Sequence, residues 1–133
     1  MVYLIDTNIV SEVLRRRPDP KVIARLSQVE PEEIYASVIT LFELRFGSML
    51  RDDASKFWQK IEAEILPLVR WLDVDRSVVS KAGDIAAKFQ KLGTPIGVND
   101  CLIGGTAIVH NLVLVSRNVR HLEKVTDLLQ EVW

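Results

Sequence analysis

Short apolar runs alternate along the chain with longer segments in which apolar residues recur every three or four positions. The short runs are rich in β-branched and aromatic residues, a pattern typical of buried strands. They lie at 2–5, 34–37, 68–74 and 112–115. The longer segments predict helices over about 7–17, 19–29, 38–50, 53–65, 77–92 and 99–110. The tail over 122–133 is expected to form a short helix and then a last strand.

This alternation is the pattern of an α/β domain, because parallel neighbouring strands require long crossovers that are usually helical. The chain has 133 residues and no repeat or low-complexity tract, so residues 1–133 are predicted to form one domain. We expect a mostly parallel central sheet of four or five strands, flanked by about six or seven helices. The helix over 77–92 is expected to turn one set of residues inward: Val78, Val79, Ala82, Ile85, Ala86 and Phe89.

Composition and charge narrow the kinds of partner that the chain can hold. Hydrophobic residues make up 48% and charged residues 26%, as in ordinary globular proteins. The single cysteine excludes an intrachain disulfide, and two histidines and one cysteine form no zinc-binding pattern. With a formal net charge of -1, any binding of nucleic acid must depend on local patches or on a metal. The N-terminus lacks a basic flank and a long apolar segment, so we expect a cytoplasmic protein without membrane contact.

Three acidic residues stand in apolar surroundings, where a charge is costly unless it is used. Asp6 ends the first strand, Glu43 lies in the third helix among apolar neighbours, and Asp100 opens the helix over 99–110. Each also has an ordinary structural interpretation. Asp6 could cap the helix that follows it, and Glu43 could close a capping box with Thr40. Asp100 could simply stabilise the positive end of its helix.

At the carboxyl edge of a parallel sheet these three side chains can converge, because strand ends and helix starts meet there. Converging carboxylates repel one another unless a cation neutralises them. Oxygen-only ligands suit Mg²⁺ or Mn²⁺. Such an ion lowers the pKa of a bound water and stabilises negative charge on a phosphodiester, so the pattern favours metal-dependent phosphodiester hydrolysis.

Four segments carry a more specific signal, in order along nearly the whole chain. They read LIDTNIVS at 4–11, SVITLFEL at 37–44, PIGVNDCLI at 95–103 and LVSRNVRHL at 114–122. Together they closely resemble the PIN-domain toxins of VapC type. The resemblance implies a single PIN-like domain with endoribonuclease activity that depends on Mg²⁺ or Mn²⁺.

The same resemblance implies roles for particular residues. Asp6, Glu43 and Asp100 would be the catalytic and metal-binding acids, and Thr7 would support Asp6 through its hydroxyl. Many members of the family carry a fourth acidic residue where this chain has Asn118. An asparagine can offer an amide oxygen but adds no charge, so we expect one well-bound metal rather than two.

The resemblance, together with the basic and apolar residues, predicts which molecules the protein binds. Arg117 and Arg120 would clamp the RNA substrate, unless they only form surface ion pairs. The basic run at 15–17 is interpreted as complementing a helix dipole rather than as binding RNA. A homodimer and a cognate VapB-type antitoxin are expected, with one apolar surface of the third and fourth helices as a docking face: Phe46, Met49, Leu50, Phe57, Trp58 and Ile61.

Two other functions are compatible with parts of the pattern. A catalytically weak PIN-like binding module is supported only by Asn118. A phosphatase-like or receiver-like domain also places an aspartate at the end of its first strand. Those domains require further acidic residues near that strand, and this chain has Asn8 two positions after Asp6.

Overall fold

The computed structural model describes residues 1–117 and 122–133. Within these residues one sheet is formed by five strands: β1 (Tyr3–Ile5), β2 (Ile34–Ser37), β3 (Arg70–Leu72), β4 (Val113–Ser116) and β5 (Gln130–Val132). The same residues contain six α-helices: α1 (Thr7–Val13), α2 (Pro20–Ser27), α3 (Val38–Met49), α4 (Ala54–Glu64), α5 (Arg76–Lys91) and α6 (Val98–Val109). A short 3₁₀ helix over Pro31–Glu33 precedes β2.

All strand pairings in the sheet are parallel, and the strand order is β3-β2-β1-β4-β5. The central strand is β1, in which Ile5 is paired with Val115 of β4. The neighbour of β1 is β2 on one side and β4 on the other, so the order of the strands reverses at β1. In open α/β sheets, ligands usually bind at the carboxyl ends of the strands at such a point. The predicted α/β class and parallel sheet are confirmed, and so are the numbers of strands and helices.

The central strand separates two hydrophobic cores, because successive side chains of a strand point to opposite faces. Ile5 belongs to the core that is covered by α1, α2, α3 and α4. Leu4 belongs to the core that is covered by α5 and α6. Both side chains are almost completely buried, so the position of β1 is fixed from both faces of the sheet.

The two helices of the second core approach each other closely at Gly105 of α6. A Cβ atom at this position would lie 2.9 Å from the backbone oxygen of Val78 and 3.1 Å from the backbone nitrogen of Ala82. Glycine therefore allows α6 to lie directly against α5. This contact fixes α6, which carries Asp100 in its first turn.

Several details differ from the sequence predictions. The first helix ends at Val13, because the Glu12 carboxylate accepts a hydrogen bond from the backbone nitrogen of Asp19 (2.8 Å) and draws the chain back. The inward positions expected for Val79 and Ala86 are wrong, since both side chains are exposed. In the tail, residues 122–129 form turns instead of a helix, whereas the last strand is confirmed as β5.

The outer face of α3 exposes apolar side chains. Phe42 and Phe46 are 60% and 59% exposed, and their rings stack at a centroid distance of 6.2 Å. We call the exposed apolar residues of this helix and its end the α3 patch: Phe42, Phe46, Met49 and Leu50. Ile61, which was expected on the same surface, is fully buried. Among the described helices, none is both long and apolar enough to cross a bilayer.

Candidate active site

Asp6 follows the last residue of β1 and caps the N-terminus of α1. Its Oδ1 accepts a hydrogen bond from the backbone nitrogen of Ile9 (3.1 Å), and its own backbone nitrogen donates to the oxygen of Val115 (3.0 Å). The Ser116 hydroxyl donates a further hydrogen bond to the carboxylate. The capping interpretation is therefore correct, and the same contacts hold the carboxylate at the carboxyl edge of the sheet.

Burial raises the pKa of the Asp6 carboxyl, and the negative charge of Asp100 raises it further. Asp100 occupies the third position of α6, where Gly97 is the N-cap, and its side chain is exposed. The charge of Asp100 thus acts on the Asp6 carboxyl, although the two residues are 94 positions apart in the chain. Of the three acids predicted from the sequence, these two form a like-charged pair.

Glu43 is linked to the first helix through Thr7. The Thr7 hydroxyl donates to Glu43 Oε1 (2.7 Å), and Thr40 Oγ1 lies 3.1 Å from Thr7 Oγ1. A hydroxyl has one proton, so Thr40 is the donor in this second hydrogen bond. The expected support of Asp6 by the Thr7 hydroxyl is wrong, because that hydroxyl binds Glu43. Since Thr7 is the next residue after Asp6, its hydrogen bond ties Glu43 to the start of the helix that Asp6 caps.

The capping-box interpretation of Glu43 is also wrong. The N-cap of α3 is Ser37, whose hydroxyl accepts from the backbone nitrogen of Ile39 (3.1 Å). Glu43 therefore lies in the second turn of the helix, beyond the reach of a capping box. Its carboxylate therefore does not cap α3.

The donor chemistry of these residues fits a hard divalent cation. Asp6 and Asp100 provide carboxylate oxygens, the ligands that Mg²⁺ and Mn²⁺ prefer. A cation would offset the cost of burying the Asp6 carboxylate and its repulsion by Asp100, which both raise the pKa of Asp6. Within residues 1–117 and 122–133, however, no three side chains of the Asp, Glu, His and Cys types are close enough to hold one ion together. The described arrangement is thus the pair Asp6 and Asp100, with Glu43 bound to Thr7, the residue that follows Asp6. Asn118 and Arg120 lie outside the described residues.

Arg117 lies next to Ser116 but points its guanidinium at two acids of the α1–α2 region. Its NH1 is 3.2 Å from Glu12 Oε2, and its NH2 donates to Asp19 Oδ2 (2.8 Å). The ion-pair interpretation therefore applies to Arg117. Glu12 is only 7% exposed, and the backbone hydrogen bond from Asp19 and the charges of Arg15 and Arg117 lower the pKa of its carboxyl.

Sequence reasoning missed Glu12 and a groove next to the acids. The sequence carries little signal for Glu12, because three of its helical neighbours three and four positions away, Asn8, Arg15 and Arg16, are polar or charged. The groove, of about 940 Å³, lies between α1, α3 and α4 and begins at Thr7 and Glu43. Five cationic side chains line it: Arg15, Arg16, Arg51, Lys56 and Lys60.

Comparison with known proteins gives a consistent result. The family model of the PIN domain matches residues 3–128. The chain is 33% identical over 135 residues to ribonuclease VapC1 of Haemophilus influenzae, which covers 100% of this chain and 98% of that protein. It is 35% identical over 122 residues to toxin FitB of Neisseria gonorrhoeae, with 88% of each chain covered.

Solved structures agree with this result. The crystal structure of VapBC2 from Rickettsia felis, bound to a DNA fragment from its promoter, matches with a TM-score of 0.90 at 26% identity. The match covers 100% of this chain and 99% of that one. FitAcB from Neisseria gonorrhoeae matches with a TM-score of 0.86 at 32% identity, over 98% of this chain and 96% of that one. The chain therefore belongs to the PIN domain family, in its branch of VapC-type ribonuclease toxins.

Proposed function

We propose that this protein is an endoribonuclease that hydrolyses RNA phosphodiester bonds with the help of Mg²⁺ or Mn²⁺. The observation that supports this proposal best is the pair Asp6 and Asp100 at the carboxyl edge of β1, with Glu43 held beside it by Thr7. A buried carboxyl with a raised pKa and a like-charged neighbour is a recurrent feature of catalytic and metal-binding sites. Membership of a family that contains named ribonucleases supports the same reaction.

Asp6 and Asp100 would hold the ion, with Glu43 as a third acid at its side. When bound, the ion would lower the pKa of a water ligand and offset the charge of the scissile phosphate. The protein's own contribution is to fix the ligands before substrate arrives. The hydrogen bonds from Ile9 and Ser116 orient Asp6, and the hydroxyl of Thr7 orients Glu43.

The reaction adds water across one P–O bond of the RNA backbone. The water oxygen bonds to phosphorus, the leaving oxygen takes up a proton, and no electrons are transferred to a cofactor. Carboxylates near the attacking water can accept its proton, and Glu43 is the described acid that Thr7 already orients for such a task.

We further propose that a VapB-type antitoxin inhibits the protein and that it forms a homodimer in the cytoplasm. The solved relatives include VapBC complexes from Rickettsia felis and Salmonella typhimurium. In this chain the α3 patch offers an exposed apolar surface of the kind that protein partners cover.

The decisive experiment incubates the purified protein with a structured RNA in Mg²⁺, in Mn²⁺ and in EDTA. We expect cleavage with either ion and none with EDTA, and we expect the Asp100→Asn variant to be folded but inactive. A wild-type protein that binds RNA without cutting it would support a catalytically weak binding module instead. Cleavage by Asp100→Asn at the wild-type rate would exclude the proposed metal site.

A further inference from the structure

We propose that the cationic groove between α1, α3 and α4 holds the backbone of single-stranded RNA next to the scissile phosphate. We call it the basic groove, defined by the five cations that line it and by Gly47. The inference depends on the proposed ribonuclease function. It assigns a binding site to the part of the RNA that extends from the phosphate at the same acids. It assigns the contact with RNA to these cations instead of Arg117, whose guanidinium is paired with Glu12 and Asp19.

The groove includes Glu43, one of the three candidate acids, and Thr7, the residue after Asp6. Thr7 and Ser11 are four positions apart on α1 and lie on one face of that helix, and Glu43 and Gly47 are related in the same way on α3. Both faces line the groove. An RNA chain that has one phosphate at Glu43 and Thr7 can therefore continue along the groove. The available length exceeds one helical turn, which is about 5.4 Å.

The residues that line the groove carry a net positive charge, which is complementary to a polyanion. Five cations face only two carboxylates, Glu43 and Asp53, although the whole protein has a formal net charge of -1. Positive charge is thus concentrated beside the acids, where it can offset the repulsion between them and an incoming phosphate.

Not all of these cations are engaged within the protein. Arg51 forms an ion pair with Asp53 (2.7 Å), and Arg15 forms one with Glu12 (3.2 Å). Lys60 forms no ion pair within the described residues, but its Nζ donates to the backbone oxygen of Leu14 (3.5 Å). By contrast, Arg16 and Lys56 form neither an ion pair nor a side-chain hydrogen bond with any residue in the described parts of the chain, and both side chains are exposed. They are the cations that an RNA phosphate can engage without first breaking an internal contact.

The floor of the basic groove is open at Gly47. A Cβ atom at this position would meet no heavy atom within 4 Å, although the residue lies inside α3, where glycine is unfavourable. A longer side chain at position 47 would enter the groove without straining the fold. This position therefore allows the charge of the groove to be changed with little effect on packing.

The first test compares Gly47→Glu with Gly47→Lys, each in an Asp100→Asn background that binds RNA without cutting it. Fluorescence anisotropy with a labelled, short single-stranded RNA should show about tenfold weaker binding for the Glu variant, which corresponds to about 1.4 kcal/mol. The Lys variant, which has a side chain of similar length, should bind at least as tightly as its parent. Unchanged affinity in both variants, or equal weakening in both, overturns the proposal.

The second test replaces the two cations that have no internal polar contact, in the variant Arg16→Gln/Lys56→Gln. The matched control is Arg76→Gln/Lys91→Gln, which removes one Arg and one Lys from exposed positions of α5, on the other face of the sheet. For each lost phosphate contact the slope of log K against log salt should become shallower by about 0.7, while the control keeps the parent's slope. An unchanged slope in the first variant counts against the basic groove.

The outcomes separate this inference from the proposed function. If wild type cleaves no RNA with either metal, the proposed function fails. If wild type cleaves RNA, and Arg16→Gln/Lys56→Gln cleaves with unchanged KM and salt dependence, only the basic groove fails. If this variant retains RNA binding but loses binding to an oligo-glutamate peptide, the groove is a site for an acidic protein segment, and the RNA assignment is wrong.

Discussion

Thr7 of the first helix donates its hydroxyl proton to Glu43 of the third helix, and 2.7 Å separate the two oxygens. This hydrogen bond joins two elements that are 36 positions apart in the chain. It also ties Glu43 to the residue next to Asp6, since Asp6 and Thr7 are consecutive. The orientation of one acid therefore depends on the residue that follows the other.

Replacement of Thr7 by Val keeps the shape of the side chain but removes the hydroxyl. Glu43 would lose its oriented hydrogen bond, and we expect RNA cleavage to fall about 10–100-fold. The free energy of unfolding should fall by only about 1 kcal/mol, because Glu43 is partly exposed and can be hydrated. Cleavage assays and thermal melting measure the two effects. Thr7→Ser should retain most activity, and a Ser variant as inactive as Val would contradict the role of the hydroxyl.

Metal binding should stabilise the fold through Asp6. An ion that binds only the native state raises the melting temperature. We expect Mn²⁺ to raise it in wild type and to have no effect in Asp6→Asn. Asparagine caps helices as well as aspartate does, so this variant should fold normally without metal. An equal metal-induced shift in the two proteins would show that the ion binds elsewhere.

The ion pairs around Glu12 give a prediction about pH. The pKa values of Glu12 and Asp19 are lowered in the native state, so their contribution to stability is present above the ordinary carboxyl pKa. It is lost as pH falls through the lowered values. Glu12→Gln should therefore melt below wild type at neutral pH, and the difference should shrink toward about pH 3. A difference that does not depend on pH would mean that packing, not charge, explains the effect.

The close contact of α5 and α6 can be tested at two adjacent glycines. Gly105→Ala would place a methyl group against the backbone of Val78 and should cost about 1–3 kcal/mol of stability. Gly104→Ala is the matched control, because its Cβ would meet only side-chain atoms of Ile85 and Leu122, at 3.5 Å and 3.6 Å. Denaturant unfolding compares the two variants. Equal stability of the two would show that α6 can move away from α5 without cost.

Local pattern was sufficient to predict the sheet and the positions of the acids. Residues 2–5 form an apolar run that ends in Asp6, and this alone places Asp6 at a strand end. The convergence of Asp6 and Asp100 follows from the parallel order of the strands. Whether Glu43 and Asn118 complete a metal site stays a prediction.

Contacts between distant parts of the chain could not be predicted in the same way. Arg117 is 98 positions from Asp19, and no periodicity indicates that its guanidinium binds there. The basic run at 15–17 looked like the end of a helix, but α1 stops at Val13 and leaves Arg15 and Arg16 on the wall of the basic groove. Ile61 was expected at the surface, since helical periodicity shows which residues share a face but not which neighbour covers that face.

The central strand also determines how the site responds to change elsewhere. β1 has only three residues, and Leu4 and Ile5 are anchored in different cores on opposite faces of the sheet. A cavity made in either core would let the strand shift, and Asp6, one residue further on, would move with it. The precision of the acidic pair is thus a property of both cores. Activity should therefore be sensitive to truncation of buried α5 side chains such as Ile85 and Phe89, although they lie on the opposite face of the sheet from Glu43.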